Sequence, residues 1–449
     1  MRALTVSLLA LLLLSAAPAP ARQTGAGALF AVMDEVDRMA AAELWPGFDP
    51  RRVPAALYDG SNTLLFRHPR PPAGFVSLSS RQGVWAFPGR YESVTSNAPV
   101  PLGGVWTATA MLTPELRGTT REAAATVVHE MFHVFQRERH PDWQANELDL
   151  FAYPFDDAEV LRLRRLESEA LRRAADAALV RDTACWAASA VELRRARFAR
   201  MPKASVAYER ASEFNEGLAE YVEARAAGRR GSGLPVTEFA AEGIRQRAYH
   251  TGRAFGVLLD RFSPRWKQKF EAGEKRSLDE LLEAVLPPVA RCDPDASARE
   301  VERLRALADV AKLISGREDA RRDYLARDGW RLVLTSAEGL PLWPQGFDPL
   351  NLRRLSPAEL IHTRHLKLGN DAGAIEILGR AALTEGAGEH PLFNGVRRLT
   401  VAGLPAEPSV TESGGKTRIT AADLTAEFSS ARVARDGRTL TVQLIKPSQ

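Results

Sequence analysis

His129-Glu130-Met131-Phe132-His133 is the segment of this 449-residue chain whose residue types and spacing point most directly to chemistry. Residues four apart on an α-helix share a face, so His129 and His133 can present two imidazoles to one metal ion. Glu130 follows the first imidazole by one position, where a carboxylate can take a proton from water beside the metal. The chain has only 8 histidines, so this pairing with a Glu in second place is a specific signal. Val127, Val128, Met131, Phe132 and Phe135 supply apolar faces that would bury the helix. The bland alternative is a pair of hydrogen-bonded core histidines.

A catalytic zinc ion needs a third protein ligand and one open position. The best source downstream is Glu213-Phe214-Asn215-Glu216-Gly217-Leu218-Ala219-Glu220-Tyr221-Val222-Glu223. Helical spacing places Glu216 and Glu220 on one face. Glu216 can bind the metal, while Glu220 can accept a hydrogen bond from a ligand His and fix its tautomer. A solvated acidic face is the competing reading, but Phe214, Leu218 and Val222 fit a partly buried helix better.

With these two strings in view, the sequence resembles the gluzincin metallopeptidases. Phe214-Asn215-Glu216-Gly217-Leu218-Ala219-Glu220-Tyr221 is especially similar to the N-E-G segment of the M1 family of zinc aminopeptidases. The resemblance implies a zinc ion held by His129, His133 and Glu216, with Glu130 as the base. It also implies that Glu220 supports a ligand His. Tyr249-His250-Thr251-Gly252-Arg253-Ala254 is similar to the family's Y-x-x-G-x-A segment, whose Tyr donates a hydrogen bond to the reacting oxyanion. That role would fall on Tyr249, or on His250 if the register differs.

The departures from the family narrow what the resemblance implies. His133 and Glu216 are separated by 82 residues, a much longer connection than in the aminopeptidases. A helical insertion, about residues 140–204, fills it and could cap the substrate path. Gly103 to Met111 stands where the substrate-pairing edge strand would lie, but it lacks the G-A-M-E-N string whose Glu binds a substrate amine. The resemblance therefore covers about residues 105–262, and exo- versus endopeptidase activity stays open.

Around this core the patterning sets out the elements that must position it. Arg2, an apolar run through Leu14 and the small residues Ser15 to Ala21 read as a signal peptide, residues 1–21. That implies a secreted or periplasmic protein without a stable membrane anchor. Residues 22–118 form a mixed α/β region, with a helix over Ala28 to Ala42 and β-prone runs at 53–58, 62–66, 75–78, 84–87 and 105–112. Residues 119–329 read as mainly helical, and 330–449 as a β-rich domain. Helices are expected near 157–180, 186–200, 208–227, 238–262, 278–286 and 296–326. Thr119 with Glu122, and Ser277 with Glu280, have capping-box spacing. The fold class expected is α+β, with a thermolysin- or gluzincin-like core.

Composition excludes little but is consistent. Charged residues make up 26% and the formal net charge is +4, with basic and acidic residues interleaved, so no nucleic-acid partner is expected. Cys185 and Cys292 are the two cysteines. Sequence leaves open whether they pair. Leu44-Trp45-Pro46-Gly47-Phe48-Asp49-Pro50 recurs as Leu342-Trp343-Pro344-Gln345-Gly346-Phe347-Asp348-Pro349, read as a shared aromatic-anchored turn. A duplicated binding element for peptide, glycan or partner is the alternative. The function expected is zinc-dependent hydrolysis of a peptide or protein substrate. The alternative from another class is a catalytically silent, metallopeptidase-like binding protein of the cell envelope.

Overall fold

Helices fill the middle of the chain and β-sheets its C-terminal part, an α+β arrangement. The computed structural model describes residues 25–445 except 115–117, 238, 294, 338–339, 349–350, 388–389 and 391. The signal-peptide reading of residues 1–21 lies outside the described residues. No described helix is long and apolar enough to cross a membrane. The chain divides into two compact units, Met1–Arg137 and Glu138–Gln449.

The first unit opens with α1 (Ala26–Met39), which buries Leu29, Val32, Met33 and Val36. Its sheet contains β1 (Ala55–Tyr58), β2 (Asn62–Phe66), β3 (Val76–Ser77), β4 (Val84–Pro88), β5 (Ala98–Leu102) and β6 (Val105–Met111). They lie in the order β3-β4-β2-β1-β6-β5, with β1 and β6 parallel and the other pairs antiparallel. Sequence patterning misses β5, because Pro99 and Pro101 remove two ladder donors. Proline is tolerated at a sheet edge, and the edge is where β5 lies.

The first unit ends within α2 (Thr120–Arg139), the helix bearing HEMFH. Its capping box forms: Glu122 N–H donates to Thr119 Oγ1 at 3.2 Å, and Thr119 N–H donates to Glu122 Oε2 at 2.9 Å. Trp45 and Phe48 pack edge-on against Phe132, with ring centroids 5.4 and 5.2 Å away. The first copy of the repeated string therefore anchors the HEMFH helix.

The second unit contains α3 (Ala158–Asp176), α4 (Val180–Phe198), α5 (Lys203–Ser212), α6 (Leu218–Ala227), α7 (Ile244–Phe262), α8 (Trp266–Glu271), α9 (Leu278–Val285) and α10 (Ala296–Leu325). A π-helical turn, Glu213–Gly217, joins α5 to α6 without a break. Helix α5 starts five residues earlier than expected and α8 was not expected, and two further boundaries differ for local reasons. The break between α3 and α4 falls at 177–179, where Ala177 is extended. α7 starts at Ile244 because residues 240–243 form a turn, closed by Gly243 N–H donating to Ala240 O at 2.8 Å.

Helices α3, α4, α5 and α7 are joined by a fully buried ion network. Glu167 of α3 accepts from Arg194 and Arg197 of α4 and from Arg247 of α7, each at 2.8 Å. Arg194 also donates to Glu213 at 2.5 and 3.0 Å, and Arg197 to Glu209 at 2.8 Å. Burial opposes the charge on Glu167, but the field of Arg197, Arg247 and Arg194 outweighs it and holds the carboxyl far below its usual range. The helical pair read as a possible cap thus forms the support behind the Glu213–Gly217 turn.

Cys185 of α4 is bonded to Cys292, 107 residues away, with a Cα–Cα separation of 5.1 Å. This bond closes a long loop, so a Cys185→Ala, Cys292→Ala variant is expected to lose about 2–4 kcal/mol in denaturant unfolding.

The C-terminal strands are β7 (Trp330–Ser336), β8 (Trp343–Phe347), β9 (Leu352–Ser356), β10 (Glu359–His362), β11 (His365–Asn370), β12 (Gly373–Leu378), β13 (Ala382–Gly386), β14 (Val396–Leu404), β15 (Ser409–Ser413), β16 (Lys416–Ala421), β17 (Leu424–Phe428), β18 (Ala431–Asp436) and β19 (Thr439–Leu444). One sheet has the order β18-β19-β7-β14-β13-β10-β9 and the other β15-β16-β17-β12-β11-β8. Leu332, Leu334 and Leu399 from the first meet Leu366, Leu368 and Ile375 from the second in one core. Tyr324 of α10 joins this region to the helices, donating to the Thr400 carbonyl at 2.9 Å.

The second copy of the repeated string does not form the expected turn. It forms the edge strand β8. Trp45 is 0% exposed, whereas Trp343 is 46% exposed. The same string folds differently because the first copy has an apolar helix to pack on and the second has strand β11 to pair with.

Candidate metal centre

On α2 the apolar residues Val127, Val128, Met131 and Phe132 are buried, and His129, Glu130 and His133 are buried with them. The helical spacing brings the two imidazoles together. His133 Nε2 lies 3.1 Å from His129 Nε2. Two nitrogens bound to one zinc ion at tetrahedral angles would be about 3.3 Å apart. The observed separation therefore suits a shared ion.

The tautomer of His133 is set by a residue that sequence reasoning missed. His133 Nδ1 lies 2.7 Å from Gln136 Oε1. A carbonyl oxygen only accepts, so Nδ1 carries the proton and Nε2 is the nitrogen that faces His129. The signal was available as a His-x-x-Gln step, one helical turn. Gln136→Leu should weaken metal affinity about 10–100-fold in chelator competition, with the helix intact.

In the second unit, Glu216 sits in the π-helical turn, a distortion that often marks functional sites. Gly217 lets that turn approach α7 closely: a Cβ there would lie 2.6 Å from Gly252 Cα and 2.7 Å from Ala248 O. The glycines of the N-E-G and Y-x-x-G strings thus face one another and set the helix separation.

Arg245 of α7 donates to Glu216 Oε1 at 2.9 Å, and Asn215 Nδ2 donates to the same oxygen at 3.3 Å. Burial opposes the charge on Arg245, but Glu147, Glu216 and Tyr249 raise its pKa above the ordinary value. Tyr249, half-buried, is therefore within electrostatic reach of the same guanidinium. His250 lies elsewhere, stacked on Phe239 at 5.4 Å.

Glu220 accepts from Arg253 at 3.1 Å, and Arg253 is fixed in turn by the carbonyls of Gly231 and Arg230. Arg245 and Arg253 were not identified from sequence. Their spacing with Tyr249, at four-residue steps, was the available signal. Glu223 pairs with Arg229 at 2.8 Å.

Among the described residues, buried His129, His133 and Glu216 could hold a metal ion, with one ligand atom from each within 4.8 Å of the others. His129 with partly buried Glu220 and Glu223 satisfies the same distance. The first group contains both imidazoles and is buried throughout, so its donors suit a dry, three-ligand site better. Two nitrogens and one carboxylate oxygen are a donor set suited to zinc. Comparison with protein families, with curated proteins and with solved structures found no match to this chain.

Proposed function

We propose that this chain is an exported zinc-dependent peptidase with a gluzincin-like core, in which His129, His133 and Glu216 hold the metal. The observation that carries this reading is the convergence of those three buried ligands. When bound, a zinc ion with three protein ligands activates water and polarises a carbonyl. Glu130, beside the first ligand, accepts the proton from the attacking water. It then returns that proton to the departing amine. Tyr249 donates its hydroxyl proton in a hydrogen bond to the carbonyl oxygen as negative charge develops there. Arg245 donates to Glu216 Oε1 and so helps orient the carboxylate. Glu220, held by Arg253, is suited to accept a hydrogen bond from His129.

Metal analysis combined with digestion of an unbiased peptide library tests the proposal. The expected result is bound zinc, together with cleavage that a chelator abolishes and zinc restores. Glu216→Ala should lower zinc occupancy severalfold. Full occupancy in that variant would move the third ligand elsewhere. Zinc without cleavage of any peptide would favour a silent binding protein.

A further inference from the structure

We infer that the cleft between α10 and strand β9 binds a small polyanion, held by Lys312, Arg353 and Arg354. The inference does not rest on the metal centre. The cleft has a volume of about 910 Å³, which suits a small molecule rather than a single ion. Helix α10 supplies Lys312, Gly316 and Arg317 to its walls, and β9 supplies Arg353 and Arg354. Successive side chains of a regular strand alternate between faces. The β9 register shifts beside Arg354, which pairs with Leu360 while Ser356 pairs with Glu359. A bulge of this kind re-aims side chains, and both arginines line the cleft.

The balance of charge on the walls indicates the occupant. Each acid there is already matched: Glu302 by Arg165 and Arg305, Asp309 by Arg165, Glu242 by Arg317, and Glu169 by Arg172 and Arg173. Lys312, Arg353 and Arg354 have no carboxylate partner among the described residues. Arg353 donates to the Gly316 carbonyl at 3.0 Å, and Arg354 to those of Ser356 and Tyr153 at 3.3 and 2.9 Å. Carbonyls satisfy N–H groups but bring no compensating charge. Arg354 is half-buried, and burial, then the field of Arg317, lower its pKa more than Asp156 and Glu242 restore it. An anion in the cleft would supply the missing charge. Three uncompensated cations match a ligand with two or more negative charges. Guanidinium forks and an ammonium suit phosphate or carboxylate oxygens.

Gly316 is a second, independent sign. It lies in the interior of α10, where glycine weakens a helix. Packing does not require it, because a Cβ there would meet nothing within 4 Å. Lys312 is one turn earlier on the same helix face, and Arg353 is bonded to the Gly316 carbonyl. The missing side chain thus leaves open space beside both cations.

Calorimetry on the full chain with pyrophosphate, citrate, acetate and sucrose tests the inference. Binding of pyrophosphate or citrate is expected, and which one binds tells whether phosphate or carboxylate is recognised. Acetate should bind at least about tenfold more weakly, sucrose not at all, and rising salt should weaken the polyanion. Arg354→Gln should cost about tenfold in affinity. Lys312→Ala, which removes an exposed side chain, should also weaken binding and keeps the test decisive if Arg354→Gln unfolds. Gly316→Leu should weaken binding without removing any charge. Arg305→Gln removes a cation already paired with Glu302 in the same cleft and should change affinity less than about twofold. Binding of neither polyanion overturns the inference, as does acetate binding equally well. Affinity unchanged in Lys312→Ala and Arg354→Gln would place the polyanion elsewhere, and an equal loss in Arg305→Gln would reduce it to general charge attraction. Either result overturns the inference.

Discussion

Glu130→Gln should retain its zinc and lose peptide turnover by about 10²–10⁴-fold, the range of a general base in a hydrolase. The substitution keeps the side chain's size and one carbonyl acceptor, so the buried helix position is not emptied. Under the proposed mechanism, what it removes is the capacity to take a proton from water and pass it to the leaving amine. Metal content measured beside kcat separates the two effects. A Gln variant with normal turnover would remove Glu130 from the mechanism, while one that loses zinc would make it a structural support. Glu130→Ala tests less cleanly, because it also removes most of a buried side chain and leaves a void.

Arg197→Met should destabilise the second unit by about 3–5 kcal/mol, since it removes one of the two arginines, Arg197 and Arg247, that pair with both buried Glu167 and Glu209. Hydrogen exchange within α3, α4, α5 and α7 is the appropriate measurement, because a global midpoint averages both units. The pH dependence provides a second check. Burial would raise Glu167, Glu209 and Asp279, but the arginines around them outweigh burial and lower all three. A lowered folded-state pKa contributes stability above the unfolded pKa, and that contribution is lost as pH falls through the folded value. Glu213 differs: burial raises it despite Arg194. Its contribution is present below its ordinary value of 4.5 and is lost as pH rises through the raised folded value. Three lowered groups against one raised group should give a net loss of stability below about pH 4. Arg197→Met should flatten that acid limb, because the attraction that lowers Glu167 and Glu209 is weakened. An unaltered acid limb would show that the network contributes little to the pH dependence.

Some of this architecture is legible in local sequence because its causes are local. Thr119 and Glu122 specify a helix start through bonds that span one turn, and that start fixes the phase of His129 and His133. The same logic would have found Gln136, had the His-x-x-Gln step been considered. β5 was missed because its prolines suppress strand propensity, and only its edge position makes them tolerable. The repeated aromatic string shows the limit of such reasoning. Seven shared residues support a buried anchor at Trp45 and an exposed strand at Trp343, because burial depends on what lies opposite.

The sequence by itself determined that His129 and His133 share one helix face: residues four apart must do so, whatever surrounds them. It also indicated the Glu216 helix, through acids in phase with an apolar stripe. The tertiary structure alone decided that Gly217 meets Gly252 and that Cys185 reaches Cys292. It alone paired the buried arginines of α4 and α7 with acids of α3, α5 and the Glu213–Gly217 turn, which local patterning would have left on solvated faces. These are contacts between segments far apart in the chain. Their partners are selected by packing and charge compensation in the folded interior, where an unpaired ion is too costly to persist.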